Sequence, residues 1–239
     1  MRGFDELVDE AARASISGWD FSWLDGRASE ARPSWHFRER VAERAATARA
    51  VVDIECGDGA LIRSLPSRPR VITGVEAYQP GPGMVAGTGD ALPLRDDAFD
   101  LVISRHPVRA HWTEIARVLE PGGTYFAQHV GPRSVAELSE WFLGPQPQAN
   151  PREPETARAN AIDAGLDVID LRYEELPMTF DDVGAVIYFL RLVIWIVPNF
   201  MVEDFRDRLR DLHDHIEQHG PFRATSTRFL IEARKPLNR

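Results

Sequence analysis

A short apolar run that ends in a glycine turn constrains this chain more than any other feature. The run is Ala50–Ile54, and the turn after it contains Gly57 and Gly59. An apolar run of this length, bounded by turn residues, predicts a buried β-strand, and Leu61–Leu65 after the turn predicts a short helix. Glycine lets the backbone approach a ligand, and a helix start offers free N–H groups to an anion. The segment therefore predicts a nucleotide-type binding turn at the end of a buried strand.

The same alternation of apolar runs and helical segments continues along the chain. Further strands are predicted at residues 71–75, 99–104, 124–128, 167–176 and 227–233. Strands that alternate with helices at this spacing predict an α/β fold, with a mainly parallel, Rossmann-like sheet and helices on both faces. We expect a single domain over residues 1–239, with an N-terminal helical cap at 1–48, the core sheet at 49–176 and 225–235, and a helical insert at 177–224 as a second part of the cap.

Composition limits the classes of function. The chain has 239 residues and a formal net charge of −9, which argues against a broad nucleic-acid surface, since that needs clustered positive charge. Its single cysteine, Cys56, excludes a disulfide framework and a multi-cysteine metal site. The most apolar stretch, residues 183–197, contains Arg191 and is shorter than the about 20 residues of a membrane span. With no signal peptide expected, we predict a cytoplasmic monomer or homodimer outside the membrane.

Three acidic residues stand where an adenosyl ligand would need them. Asp53 lies in the first predicted strand and would hold the ammonium of S-adenosylmethionine, whose carboxylate suits the glycine turn. Glu76 ends the next strand, where a carboxylate accepts hydrogen bonds from both ribose hydroxyls. Asp90 would bond the exocyclic amine of adenine. A hydride-transferring dinucleotide enzyme fits less well, because Ile62 stands at the third glycine position of its fingerprint.

Four segments together resemble class I S-adenosylmethionine-dependent methyltransferases of the type-11-like branch. They are VVDIECGDG, GVEA, GDALPLRDDAFDLVISRHP and ARVLEPGGTYF, in this order over roughly residues 49–130. The resemblance implies a seven-stranded sheet with a reversed last hairpin, S-adenosylmethionine as cofactor, S-adenosylhomocysteine as product and no metal. It implies methyl transfer to a small, partly apolar substrate. The implied cofactor contacts are Asp53, Glu55, Cys56, Gly57, Gly59, Glu76, Asp90, Ala91 and Ser104.

Two departures from the family pattern keep other functions open. Glu55 stands where the family usually has a glycine, and the segment between Glu76 and Asp90 is short and rich in proline and glycine. The Glu55 side chain would either bond the methionine ammonium or obstruct the site. Both departures favour an alternative function as a non-catalytic binding or scaffold protein with a degenerate cofactor site. A second alternative, methylation of RNA or protein, predicts a local arginine patch beside the cofactor.

Histidines and aromatic residues are the candidates for the substrate side of the site. His106 and His129 each follow a predicted core strand and are the candidate bases, although both also suit structural or pocket-lining positions. The tryptophans would either roof an apolar pocket or anchor the N-terminal segment to the core. Arg191 interrupts an apolar helix, so it reaches water, pairs with an acid or pairs with an anionic substrate. The candidate substrate contacts are Trp19, Trp23, Trp35, Tyr188 and Arg191.

Overall fold

The computed structural model describes residues 2–78, 80–146 and 152–237 and divides into two compact units. The described residues of the smaller unit lie within Met1–Arg32, Arg133–Ala149 and Glu175–Thr227. Those of the larger unit lie within Pro33–Pro132, Asn150–Glu174 and Arg228–Arg239. All residues of the expected cofactor site belong to the larger unit.

A mainly parallel sheet forms the centre of the larger unit. The strands of the described chain are β1 (Ala28–Glu30), β2 (Ala50–Ile54), β3 (Val71–Glu76), β4 (Val85–Ala86), β5 (Phe99–Arg105), β6 (Leu119–Val130), β7 (Asp167–Phe180) and β8 (Phe222–Arg234). The neighbours β4-β3-β2-β5-β6 are all parallel. Strand β8 pairs antiparallel with β6, and β7 follows β8. This order confirms the expected Rossmann-like sheet with a reversed strand near its end, although the described sheet has eight strands where the resemblance implies seven.

Helices cover the sheet because its central strands are apolar on both faces. Val51, Val52, Val102 and Ile103 are fully buried. One apolar cluster packs around Val52 and Val102, and another contains Val51 and Ile103. The helices of the described chain are α1 (Phe4–Arg13), α2 (Phe37–Thr47), α3 (Ala60–Arg63), α4 (Trp112–Val118), α5 (Ala136–Leu143), α6 (Pro154–Asp163), α7 (Val183–Leu192) and α8 (Arg206–His219).

The smaller unit is built around α7, in which nearly every residue is buried. The Asp182 carboxylate accepts the Ala185 N–H at 2.8 Å and so caps the start of this helix. The apolar faces of α1 and α8 contribute to the same cluster. Arg191 of α7 donates to the carbonyls of Ala11 and Ala14, at the C-terminal end of α1. Since a helix end leaves its last carbonyls without partners, this contact explains an arginine in the most apolar helix of the chain.

Most predicted elements are confirmed, and the differences have local causes. Helix α2 begins at Phe37, after a segment in which the Glu174 carboxylate accepts the Ser34 N–H at 2.9 Å and the Ser34 hydroxyl. His36 also adopts a left-handed φ of +47°, which is outside the helical region. Strands β1 and β4 and helix α5 were not predicted. Within the described residues, no helix combines the length and the apolar character that a bilayer crossing requires.

Lys235, the only lysine of the chain, provides a test of how the larger unit is held together. Its ammonium donates to the carbonyls of Ala116 and Leu119, both at 2.7 Å, and to Asp97 Oδ1 at 2.6 Å. We expect Lys235→Met to lower the free energy of unfolding by about 1–3 kcal/mol, because the carbonyls at the end of α4 lose a charged donor. Urea denaturation measures the change. The matched control is Arg234→Met at the exposed neighbouring position, and equal effects of the two variants would show that the lysine contacts contribute nothing.

Candidate functional site

A buried carboxyl group lies next to the end of β2. Asp53 is 1% exposed, and its Oδ1 atom has no hydrogen-bond partner among the residues that the structure describes. Burial raises the pKa of Asp53 to about 8, against the opposing effect of Arg105 and with a further rise from the Glu76 carboxylate. A buried carboxyl without a full set of partners costs stability, and such groups concentrate at functional sites. The position is suited to a cationic group such as an ammonium.

Glu76 organises the glycine turn that follows β2. Its Oε2 accepts the Gly57 N–H at 2.7 Å, and its Oε1 accepts the Tyr78 N–H at 2.8 Å. Gly57 and Gly59 have φ angles of +57° and +76°, the left-handed region that favours glycine. An ionised carboxylate offers about four lone-pair sites, so two remain for hydroxyl donors. The carboxylate expected at the ribose therefore also fixes the shape of the turn.

Met84 covers this turn. A Cβ atom placed on Gly59 would overlap the Met84 methyl group, so the absence of a side chain there makes room for Met84. The Met84 sulfur lies 3.2 Å from the Gly81 nitrogen and 3.7 Å from the Cys56 sulfur. Methionine is unbranched and adapts easily, so a ligand displaces it at low cost. The site thus fits an adenosyl ligand that carries an ammonium, once Met84 moves aside. Asp53 and Glu76 supply the carboxyl groups, and the missing side chain at Gly59 leaves space beside the turn.

Glu55 connects the turn after β2 to the loop after β5. It has a left-handed φ of +56°, the conformation that the glycine usual at this position would adopt readily. Its Oε2 accepts the Val108 N–H at 2.6 Å, and its Oε1 lies 3.3 Å from where a Cβ on Gly89 would stand. Burial raises the pKa of Glu55, whereas the Val108 N–H lowers it. Glu55 therefore contacts the loop after β5. This contact differs from both expected roles, which were to bond the methionine ammonium or to obstruct the site.

Comparison with known proteins identifies the part of the chain that holds this geometry. A family model described as "Methyltransferase domain" matches residues 52–127, from β2 through the glycine turn to β6. This match covers about a third of the chain, and all of it lies within the larger unit. No curated protein matches the chain in sequence.

Solved structures share the fold of the methyltransferase domain at low sequence identity. A proposed methyltransferase of Bacillus halodurans C-125 superposes with a TM-score of 0.57 at 14% identity, over 83% of this chain and 98% of its own. The YcgJ protein of Bacillus subtilis gives 0.58 at 20% identity, over 84% and 99%. The [4+2]-cyclase SpnF gives 0.50 at 17% identity, over 97% and 93%. Identities in this range establish a common fold and leave the reaction to be argued from the site.

The other expected cofactor contacts of the methyltransferase domain differ in accessibility. Asp90 and Ala91 are exposed, and a hydrogen bond from Thr88 lowers the pKa of Asp90. Ser104 is 1% exposed and donates its hydroxyl to the Ile54 carbonyl at 2.7 Å, so its donor is used between β5 and β2. Burial raises the pKa of Cys56 to about 12, which keeps its thiol protonated. The described residues contain no cluster of three or more His, Cys, Asp or Glu suited to a metal ion.

Both candidate bases are neutral and already hydrogen bonded. His129 is buried, stacks on Phe229 at 4.6 Å between ring centres, and has its Nε2 atom 3.1 Å from the Tyr125 hydroxyl. Burial lowers the pKa of His129 to about 3. His106 is half-buried, and its Nε2 atom lies 2.7 Å from the side-chain nitrogen of Gln128. Burial also holds the pKa of His106 well below its usual value. Neither ring therefore has a free Nε2 atom with which to accept a proton.

The predicted substrate residues fall in both units. In the smaller unit, Trp23 stacks on Tyr188 at 4.8 Å, and the exposed Trp19 packs against Trp195 at 5.6 Å. In the larger unit, Trp35 is only 3% exposed and donates its indole N–H to Gln128 Oε1 at 2.8 Å. Trp35 is thus part of the interior. The substrate roles of these residues stay predictions.

Two residues of the site were missed from the sequence. Gln128 is a buried polar residue in an apolar strand, and this contrast is a signal that could have drawn attention to it. Met84 lies in the glycine- and proline-rich segment, and nothing in its local sequence indicates contact with Gly59.

Asp53 predicts a specific dependence of stability on pH. Because its folded-state pKa is raised from 3.8 to about 8, its contribution to stability is complete below the unfolded pKa and is lost as the pH rises through about 8. We expect Asp53→Asn to remove this loss. Between about pH 5 and pH 8, the free energy of unfolding of the variant should therefore rise relative to that of the wild type by up to about 1.4 kcal/mol per pH unit. Urea denaturation across this range measures it. Asp163→Asn, an exposed acid in α6, is the control, and parallel profiles for Asp53→Asn and wild type would contradict the expectation.

Proposed function

We propose that this chain is an S-adenosylmethionine-dependent methyltransferase that acts on a small, partly apolar molecule. The observation that carries the proposal is the Asp53 carboxyl, buried beside the Glu76-bound glycine turn with one oxygen lacking a partner among the described residues. A buried acid near a second carboxylate is disfavoured by itself and favoured by a bound cation. The family match over residues 52–127 supports the same class of reaction.

The acidic residues divide the work of binding the cofactor. S-adenosylmethionine, when bound, supplies a methyl group activated as a sulfonium together with its leaving group. Asp53 would pair with the ammonium of the methionine part, and Glu76 would accept hydrogen bonds from the ribose hydroxyls through its remaining lone pairs. The exposed Asp90 would meet the adenine amine.

The chain itself would contribute mainly alignment and exclusion of water. Holding two reactants in line removes much of the entropic barrier to their reaction. Since the Nε2 atoms of both His106 and His129 already have partners, we propose that the domain works by positioning and without a strong general base. A small acceptor is consistent with the net charge of −9, which does not favour a polyanion.

Calorimetric titration of the full chain with S-adenosylmethionine and S-adenosylhomocysteine tests the proposal. We expect both to bind, and Asp53→Asn to weaken binding by about tenfold or more, because the ammonium loses a charged partner. Binding should release a proton near neutral pH, since the Asp53 carboxyl, with a pKa of about 8, must ionise to pair with the ammonium. Affinity should therefore rise between about pH 6 and pH 8. Titrations in phosphate and Tris, which differ in ionisation heat, count the protons.

The control for this experiment is Asp163→Asn, which removes an exposed charge from α6. It should leave affinity and proton release unchanged. Absence of heat and of thermal stabilisation with either ligand at millimolar concentration would overturn the proposal and favour the scaffold alternative.

Met84 and Gly59 offer a second, steric test of the same site. We expect Met84→Ala to tighten binding of S-adenosylhomocysteine, because no side chain then has to leave the turn. Gly59→Ala should abolish binding of S-adenosylhomocysteine, since φ is +76° there and a Cβ would fill the space beside the turn. The same calorimetric titration measures both variants. Weaker binding by Met84→Ala would show instead that Met84 contacts the cofactor directly.

A further inference from the structure

Three side chains of the larger unit form a hydrogen-bonded chain that fixes the protonation of His106. Trp35 and Gln128 are each 3% exposed. The Trp35 indole nitrogen lies 2.8 Å from Gln128 Oε1, and the Gln128 amide nitrogen lies 2.7 Å from His106 Nε2. An indole N–H only donates, so the Gln128 oxygen must face Trp35. The Gln128 nitrogen, which also only donates, is therefore directed at His106.

This arrangement leaves one possible tautomer for His106. Because its Nε2 atom accepts from Gln128, that atom carries no proton, and the proton of the neutral ring must lie on Nδ1. The backbone holds the residue in the same place, since the His106 N–H donates to the Gln128 carbonyl at 2.7 Å and φ is +59°. The ring group left for a ligand is thus the Nδ1–H, a hydrogen-bond donor. His106 would then act as a hydrogen-bond donor and not as the base that its position in the sequence suggests.

Two arginines act electrostatically on the His106 ring. Arg105 precedes His106 at the end of β5, and the largely buried Arg228 stands opposite Val130 where β8 pairs with β6. Burial, Arg228, Arg105 and His129 all hold the pKa of His106 below its usual range. A neutral donor within the electrostatic reach of two guanidinium groups favours a negatively charged oxygen over a cation.

The His106 loop also borders the candidate cofactor turn. Glu55, in that turn, accepts the N–H of Val108, two residues after His106, at 2.6 Å. Ser104, two residues before His106, donates to Ile54 at 2.7 Å. The donor therefore stands at the carboxyl ends of adjacent parallel strands, where ligands of open α/β sheets bind.

We propose that His106, oriented by Gln128 and Trp35, donates its Nδ1–H to a carboxylate of the methyl-accepting substrate. Gln128 and Trp35 are positioning residues, and His106 determines specificity for an anionic acceptor. The location of the acceptor rests on the proposed function, whereas the tautomer does not.

The tautomer is tested by long-range ¹⁵N–¹H correlation spectra of the full chain labelled at histidine. The signals of His106 are assigned by their absence in His106→Asn. We expect a protonated Nδ1 and an unprotonated Nε2 throughout about pH 6 to pH 9. Gln128→Glu should move the proton to Nε2, because a carboxylate accepts from both Trp35 and His106. If that variant fails to fold, Trp35→Phe replaces it and should give mixed tautomers, since Gln128 is then free to turn over. Protonation at Nε2 in the wild type would overturn the proposal.

The ligand class is tested with benzoate, benzamide and benzylammonium, added to protein saturated with S-adenosylhomocysteine. Of these three compounds, we expect only benzoate to shift the Nδ1–H resonance of His106. His106→Asn and His106→Gly form a matched pair, because both residues accept a left-handed φ and only asparagine keeps a donor. His106→Asn should retain benzoate affinity, and His106→Gly should lose about tenfold. Binding of benzylammonium, binding of none of the three, or equal loss in both variants would overturn the carboxylate assignment.

The two proposals fail in distinguishable ways. If S-adenosylhomocysteine itself does not bind, the proposed function fails while the tautomer result stands. If it binds and benzoate does not, the methyltransferase proposal survives and the substrate class is wrong.

Discussion

Two carboxyl groups at the ends of adjacent parallel strands impose the main constraint on the larger unit. Asp53 pairs with Gly74 in the register of β2 and β3, and Glu76 ends β3 two residues later. Burial raises the pKa of Asp53 to about 8, with a smaller rise from the Glu76 carboxylate and an opposing effect of Arg105, so this carboxyl holds its proton near neutral pH. The apolar burial of Val51 and Val52 beside them supplies the stability that tolerates this arrangement.

Polar contacts between loops keep the site in shape without a ligand. Glu76 of β3 accepts the Gly57 N–H, and the Ser104 hydroxyl of β5 donates to the Ile54 carbonyl. The turn after β2 is therefore hydrogen bonded to the strands on both sides of β2. These donors and acceptors sit on strand ends, which are rigid compared with long loops. Met84 differs, because it covers Gly59 through apolar contact and a weak sulfur acceptor alone. The adjustable part of the site is thus the Met84 side chain, whereas the strand ends around it are fixed by hydrogen bonds.

The sequence was sufficient for the central strands of the sheet but not for its short edge strands or for the polar interior. Runs such as Ala50–Ile54 and Phe99–Arg105 are apolar and β-branched, so their burial follows from composition alone. Strand β1, with the sequence ASE, has no such pattern and exists because it pairs with β7. The link between Trp35 and Gln128 joins residues far apart in the chain, and no local rule reports such a pairing. What periodicity reveals is burial, whereas the partners of buried polar groups are set by the fold.

A residue with a left-handed backbone follows each of two neighbouring strands at the site. Glu55 follows β2 with φ +56°, and His106 follows β5 with φ +59°. A left-handed conformation costs a side-chain-bearing residue about 1–2 kcal/mol. For Glu55, the hydrogen bond that its carboxylate accepts from the Val108 N–H is worth about 1.5–3 kcal/mol and offsets that cost. For His106, the backbone N–H and the ring Nε2 atom both bond Gln128, and two neutral hydrogen bonds of about 0.5–1.5 kcal/mol each offset the cost. Each left-handed residue is thus held by a specific partner on a neighbouring segment, and residues held in this way concentrate at functional sites.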